Sequence, residues 1–319
     1  MRLKYLLSIL LILVFVYGCR KYGDVDESTI DKRYSGGANT VFDESGGAFA
    51  HDFPTLTGND LEAHDVGDKN FELSFVTAPS AIRPGLGPVY NNVSCSSCHI
   101  ADGRGKPALP GEQLVSMLFR VSIPGTDAHG GPNPVPGFGG QLQSSAVFGK
   151  PLEGSVNISY MEEPVTFGDG SSISLRRPTY TIISSYIPVP SGMMLSPRIA
   201  PPMIGLGLLQ AIPEGTLLTW ADENDADGDG ISGKPNRVWN VLKNQTTIGR
   251  FGWKAGAPDL LQQSAGAYNE DMGITNFVFP KESAFGQTQY DGLNDEVEVP
   301  DSILKAVAFY ARTLAVPAR

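Results

Sequence analysis

Two of the chain's three cysteines stand three residues apart, with a histidine directly behind the second, in "NNVSCSSCHIADGRG" (Asn91 to Gly105). Cys95-Ser96-Ser97-Cys98-His99 constrains the fold more than any other stretch, because the core must be built around whatever group joins those three side chains. A thioredoxin-like Cys-x-x-Cys needs a βαβ setting, which the loop-like flanks do not supply. A zinc site needs further Cys or His at ligand spacing, and the remaining cysteine, Cys19, lies far upstream. The spacing is instead that of c-type haem attachment. Each thiol adds to one haem vinyl group, and His99 reaches the iron as proximal ligand. Candidates for the second axial position are His51, His64, His129 and the methionines. Most methionines read as core fillers. Met272, in the polar, turn-like "NEDMGIT", is the outlier and the candidate axial ligand.

The N-terminus agrees with attachment outside the cytoplasm. Arg2 and Lys4 precede an apolar run from Leu6 to Val16 that ends at Gly18-Cys19. This is the layout of a secretory signal, and the closing cysteine makes it a lipoprotein signal over residues 1–18, with Cys19 as the lipidated residue. A plain signal peptide with an incidental cysteine is the alternative. Residues 19–40 read as a flexible tether, and Arg20-Lys21 favours the outer membrane over the inner. Losing Arg2 and Lys4 takes the formal charge from −10 to −12. An acidic exported chain repels nucleic acid phosphates and suits a small basic redox partner such as a cytochrome.

Gly (37) and Pro (24) punctuate the chain heavily, which predicts long ordered loops between short elements. Residues 59–76 read as an interrupted helix, with Leu61, Phe71 and Phe75 facing a core and Gly67 as the weak point. Leu114 to Ile123 alternates as a strand, helix being the alternative. Two alternating runs around Gly168-Asp169-Gly170 form a hairpin signal. "PPMIGLGLLQAI" (Pro201 to Ile212) reads as a buried helix and "DLLQQSAGAY" as another. "PDSILKAVAFYARTLAVP" is the clearest helix, capped by Asp301 or Ser302, with Ile303, Leu304, Val307, Tyr310, Ala311 and Leu314 on one face.

"NDADGDGISGKPN" (Asn224 to Asn236) places Asp225, Asp227 and Asp229 at alternate positions, followed by Gly230 and Ile231. Three carboxylates and the Ile231 carbonyl match the early positions of a calcium loop. The twelfth position is Asn236 rather than a bidentate glutamate, so a metal-free Asp/Gly turn is the competing reading.

Together the stretches "GLGPVYNNVSCSSCHIADGRG", "FGGQLQ", "SLRRPTYTI", "SPRIAPPMIGLGLLQAIPEG", "DADGDGISGKPNRVW", "GRFGWKAGAPDL", "EDMGIT" and "FYARTLAVPAR" resemble, in order, the di-haem oxidoreductases of the bacterial cytochrome c peroxidase type. The resemblance runs from about residue 85 to the C-terminus. It implies haem c on Cys95, Cys98 and His99, and peroxidase-like or electron-transfer activity in the periplasm or at the outer membrane. It also implies a second cytochrome c module beyond "RTLAVPAR"; this sequence carries a single Cys-x-x-Cys-His. The second haem is therefore expected on another polypeptide, or lost in a truncated gene or a one-haem derivative. The family's glutamine–glutamate acid/base pair maps onto Gln141 in "FGGQLQ" and Glu153 downstream, with surface polar residues as the alternative reading of both. The expected fold is mainly α and loop-rich, a cytochrome c-like haem domain with a small β-hairpin or sheet insertion. Residues 41–150 form the haem region, and residues 151–319 a second lobe with the hairpin, the acidic loop and the C-terminal helix. The expected activity is haem c-dependent electron transfer of the peroxidase type. A non-catalytic mono-haem carrier and a calcium-bound surface protein are the alternatives.

Overall fold

The computed structural model describes residues 31–293 and 297–319. The expected signal segment, Cys19 and the first part of the tether lie outside the described residues. Among those residues no helix is long and apolar enough to cross a membrane.

The expectation of a mainly α fold is not met. Helix accounts for 22% and strand for 25%, spread over several small sheets. The hairpin is a long ribbon, not a small insertion: Gly154–Thr166 pairs antiparallel with Ser172–Ser185. Its tight end is fixed by Phe167 N–H donating to the Ser171 carbonyl at 2.8 Å and by Gly170 at φ +85. Other strands arise from tertiary pairing. Val89–Tyr90 pairs with Ser145–Ala146, and Thr40–Val41 runs parallel to Val316–Pro317. Two-residue strands carry no readable period, so local patterning does not reveal them. The strand expected near Leu114 forms as Met117–Thr126, flanked by Gln141–Leu142 and Met194–Ile199.

The first helix, Asn59–Glu72, is continuous through Gly67. A Cβ there would stand 2.2 Å from the Ala306 carbonyl oxygen, so the glycine is what lets this helix touch the C-terminal helix Asp301–Thr313. Phe71 and Phe75 are buried as expected, whereas Leu61 is exposed. The C-terminal helix has Pro300 at its N-cap position and no side-chain cap, so neither Asp301 nor Ser302 caps it as expected. The expected buried helix near Pro201 shortens to Leu206–Ala211 and contains no buried residue. Gly207 lies against the Arg312 carbonyl there. Helix Leu260–Met272 is capped by the Asp259 carboxylate, which accepts from Gln262 N–H.

Among the described residues the hydrophobic side chains form two large cores and a small cluster of Phe251, Ala257 and Leu260. Phe71, Tyr268, Met272, Leu304, Val307, Tyr310 and Leu314 form the first, with Cys95 packed against it. Met117, Phe119, Val121, Phe138, Leu142 and Ile158 form the second, under the strands. Each large side chain buried there stabilises by roughly 1.5–3 kcal/mol.

Candidate functional site

The Cys-x-x-Cys-His stretch folds as one helical turn, Cys95–Cys98. Extended Ser94 caps it, its Oγ accepting from Ser97 N–H at 3.2 Å. Both cysteines are free. Burial pushes the Cys95 thiol up to about 12 and the Cys98 thiol up to about 11. Burial thus favours the protonated thiol over the thiolate at both positions. His99 Nδ1 lies 2.8 Å from the Pro201 carbonyl oxygen. A carbonyl only accepts, so Nδ1 carries the proton and Nε2 keeps its lone pair. Burial lowers the His99 pKa, which keeps the ring neutral. Beside Cys95, the buried Tyr268 hydroxyl has no hydrogen-bond partner. Two thiols, a pre-oriented imidazole nitrogen and an orphaned core hydroxyl fit a covalently held haem c.

The other ligand candidates fall in different places. His64 is buried, bonds Thr313 Oγ1 through Nδ1 at 2.7 Å and packs on Tyr310. His51 pairs with Asp43, and His129 stacks on Trp239 at 4.0 Å. Met272 ends its helix and is 2% exposed in the core that also receives Cys95, so its setting is not the polar turn its neighbours suggest.

Gln141 and Glu153, far from being surface residues, are buried and line one cavity of about 90 Å³ with Phe138, Gln143, Glu270 and Ser283. They differ in availability. Gln141 Nε2 donates to Asn91 Oδ1 and Asp271 Oδ1, each at 2.7 Å, and its Oε1 accepts from Arg120. Arg120 also pairs with Glu270. The Gln141 side chain is thus committed to the wall. Gln143 is the residue that sequence reading missed. It is 2% exposed, and its Oε1 has no partner. Its backbone N–H donates to Glu153 Oε2 at 2.8 Å. The clue was the i, i+2 spacing in "FGGQLQ", which puts both glutamines on one side of an extended segment. Glu153 Oε1 accepts from Gln287 Nε2 at 2.7 Å, and burial raises the carboxyl pKa to about 7. The Ser283 hydroxyl at the cavity also lacks a partner.

The cavity wall is tied to the cysteine turn. The Asp271 carbonyl accepts from the backbone N–H groups of Asn91 and Asn92, at 2.8 and 3.1 Å. Asn92 Nδ2 in turn reaches Cys98 Sγ at 3.4 Å. Burial also raises the Asp271 carboxyl to about 6.

In the acidic loop, carboxylate oxygens of Asp222, Asp225 and Asp227 lie within 4.8 Å of one another. Asp222 therefore stands where the sequence pattern put Asp229. Asp229 Oδ1 accepts from the Ile231 N–H at 2.7 Å, closing a local turn, and Ile231 is exposed.

No curated protein and no solved structure matches the chain. A family model described as "Di-haem oxidoreductase, putative peroxidase" matches residues 29–319, and the chain accordingly belongs to the di-haem oxidoreductase family.

Proposed function

We propose that this chain binds one haem c through Cys95 and Cys98, with His99 Nε2 on the iron, and serves as a peroxidase-type oxidoreductase. The observation that carries this reading is the 2.8 Å contact from His99 Nδ1 to the Pro201 carbonyl, which leaves the metal-binding nitrogen free beside two neutral thiols. When bound, the haem supplies electron exchange with hydrogen peroxide. The chain's own groups manage protons. Glu153, with a pKa of about 7, both holds and releases a proton near neutral pH. The unpartnered Gln143 Oε1 accepts a hydrogen bond from a small molecule in the cavity. Gln141 acts as a strut between Asn91, Asp271 and Arg120 rather than as a reacting group.

Export and a lipid anchor on Cys19, at the periplasmic side of the outer membrane or the cell surface, belong to the same proposal. So do a small basic cytochrome as electron partner and calcium among Asp222, Asp225 and Asp227. Met272, in the core that receives Cys95, favours a second reading: a six-coordinate electron carrier indifferent to peroxide.

Full-length protein made with haem maturation should give one covalent haem per chain by pyridine haemochrome, and its spectrum should respond to hydrogen peroxide. Absence of covalent haem refutes the proposal. Haem without a peroxide response leaves the carrier reading.

A further inference from the structure

The Glu153 carboxylate, 1% exposed at the cavity, is held from two distant segments. Its Oε2 accepts from the Gln143 backbone N–H at 2.8 Å, and its Oε1 accepts from Gln287 Nε2 at 2.7 Å. Both lengths are those of bonds to a charged acceptor. The first donor is backbone and survives any side-chain change short of proline at position 143. The second is a side chain 134 residues away. The other end of that carboxamide is buried with no partner at Oε1. A half-satisfied buried amide costs stability, so the carboxylate it faces is what accounts for its place.

The loop that carries Gln287, residues 281–290, is placed by contacts that do not need its side chain. Asn269 Nδ2 donates to the Lys281 carbonyl at 2.7 Å, which fastens the loop to helix Leu260–Met272. Gln287 N–H donates to the Ala284 carbonyl at 2.9 Å, Tyr290 N–H to the Gln287 carbonyl at 3.3 Å, and Lys150 Nζ lies 3.4 Å from the Tyr290 carbonyl. The other titratable or charged groups on the segments around Glu153 are Tyr186, whose N–H donates to the Glu153 carbonyl, and Glu270 on the cavity wall, paired with Arg120. Lys150 and the loop's own Lys281, Glu282 and Tyr290 complete them.

We propose that Gln287 is a positioning residue for the cavity's acid–base group: its carboxamide fixes the direction of the Glu153 carboxylate and favours the ionised form, so the loop sets the pH at which Glu153 exchanges its proton. This deepens the peroxide reading above and rests on it for the consequence in turnover. Burial opposes ionisation and raises the Glu153 carboxyl to about 7, while the Gln143 and Gln287 bonds pull the other way. Without Gln287 the burial remains and one of the two donors is gone. The Glu153 pKa then moves further up by on the order of one unit, a tenfold higher proton affinity.

The test uses the haem-loaded full chain and two variants. Gln287→Met keeps the length of the side chain without a donor. Gln287→Asn keeps the amide but draws it back by one methylene, and it stands in if Gln287→Met does not fold. Infrared difference titration, with Glu153→Gln subtracted, reads the Glu153 carboxyl itself, and the pH profile of hydrogen peroxide turnover is recorded in parallel. The carboxyl midpoint should rise by about one pH unit in the variants, and the midpoint of the turnover profile should rise with it. A carboxyl midpoint that is unchanged or lowered overturns the Gln287 assignment, whatever the peroxide result. A raised carboxyl midpoint without peroxide turnover, or with a turnover profile that stays in place, upholds Gln287 and overturns the peroxide role of the cavity.

Discussion

Replacing Glu153 by Gln separates the proton chemistry of the cavity from its architecture. A glutamine has the shape of a protonated glutamate, so the variant is locked in the form that wild type leaves as pH rises. The Glu153 carboxyl is raised from 4.5 to about 7 in the folded protein, with burial as the first cause. Below 4.5 both folded and unfolded chains hold the proton, and the contribution of this group is fully present. Between 4.5 and 7 the unfolded chain releases it while the folded chain keeps it, so stability is lost with rising pH. At about 1.4 kcal/mol per unit, a shift of this size removes about 3 kcal/mol of stability by pH 8 relative to pH 4.5. Glu153→Gln should match wild type near pH 4.5 and become the more stable protein at pH 8. The gap corresponds to a melting temperature higher by on the order of 5–10 °C. Melting curves of both proteins from pH 4.5 to 8 measure this, and the difference between them removes the parallel effects of Asp102 and Asp271, whose carboxyls burial also raises to about 6. In the haem-loaded protein the same variant should slow peroxide turnover by roughly 10²–10⁴-fold and abolish its pH dependence near 7. Parallel stability profiles across this range would refute the assignment of a buried, proton-holding Glu153.

Gly67→Ala places a methyl group 2.2 Å from the Ala306 carbonyl and 2.6 Å from Tyr310 Cβ. The crowding outweighs the gain of about 1 kcal/mol in helix propensity, for a net loss of about 1–2 kcal/mol by denaturant titration. Met272→Leu conserves core volume and should cost less than about 1.5 kcal/mol. If Met272 ligates iron, the change also converts the optical spectrum from low to high spin. If it is a core residue alone, the spectrum is unchanged. The small cavity beside Gln143 and Glu153 should favour hydrogen peroxide over a bulky alkyl hydroperoxide, which should react slower by on the order of tenfold in stopped-flow measurements. Calcium should raise the melting temperature of wild type and not of Asp225→Asn; equal shifts in both remove the acidic loop as its site.

The Cys-x-x-Cys-His turn was legible because its geometry is local. Two thiols and an imidazole within five residues need only one helical turn, and Ser94 supplies its cap. The strand at Met117, the hairpin turn at Asp169 and the C-terminal helix were legible for the same reason: periodicity and turn chemistry act over a few residues. What tertiary structure decided depends on distant groups meeting. Gly67 looks like a helix breaker until Ala306 arrives against it. Met272 looks polar in "NEDMGIT" because neighbours in sequence say nothing about the core it enters. Gln141 and Gln143 are equivalent in the sequence; Asn91, Asp271 and Arg120 saturate one and leave the other open to the cavity. The mainly α expectation failed because much of the strand comes from such meetings, as between Val89–Tyr90 and Ser145–Ala146. The residues that can hold a haem were written in five consecutive letters; the groups that orient His99 and hold a proton at Glu153 come together only when segments far apart in the chain pack into shared cores.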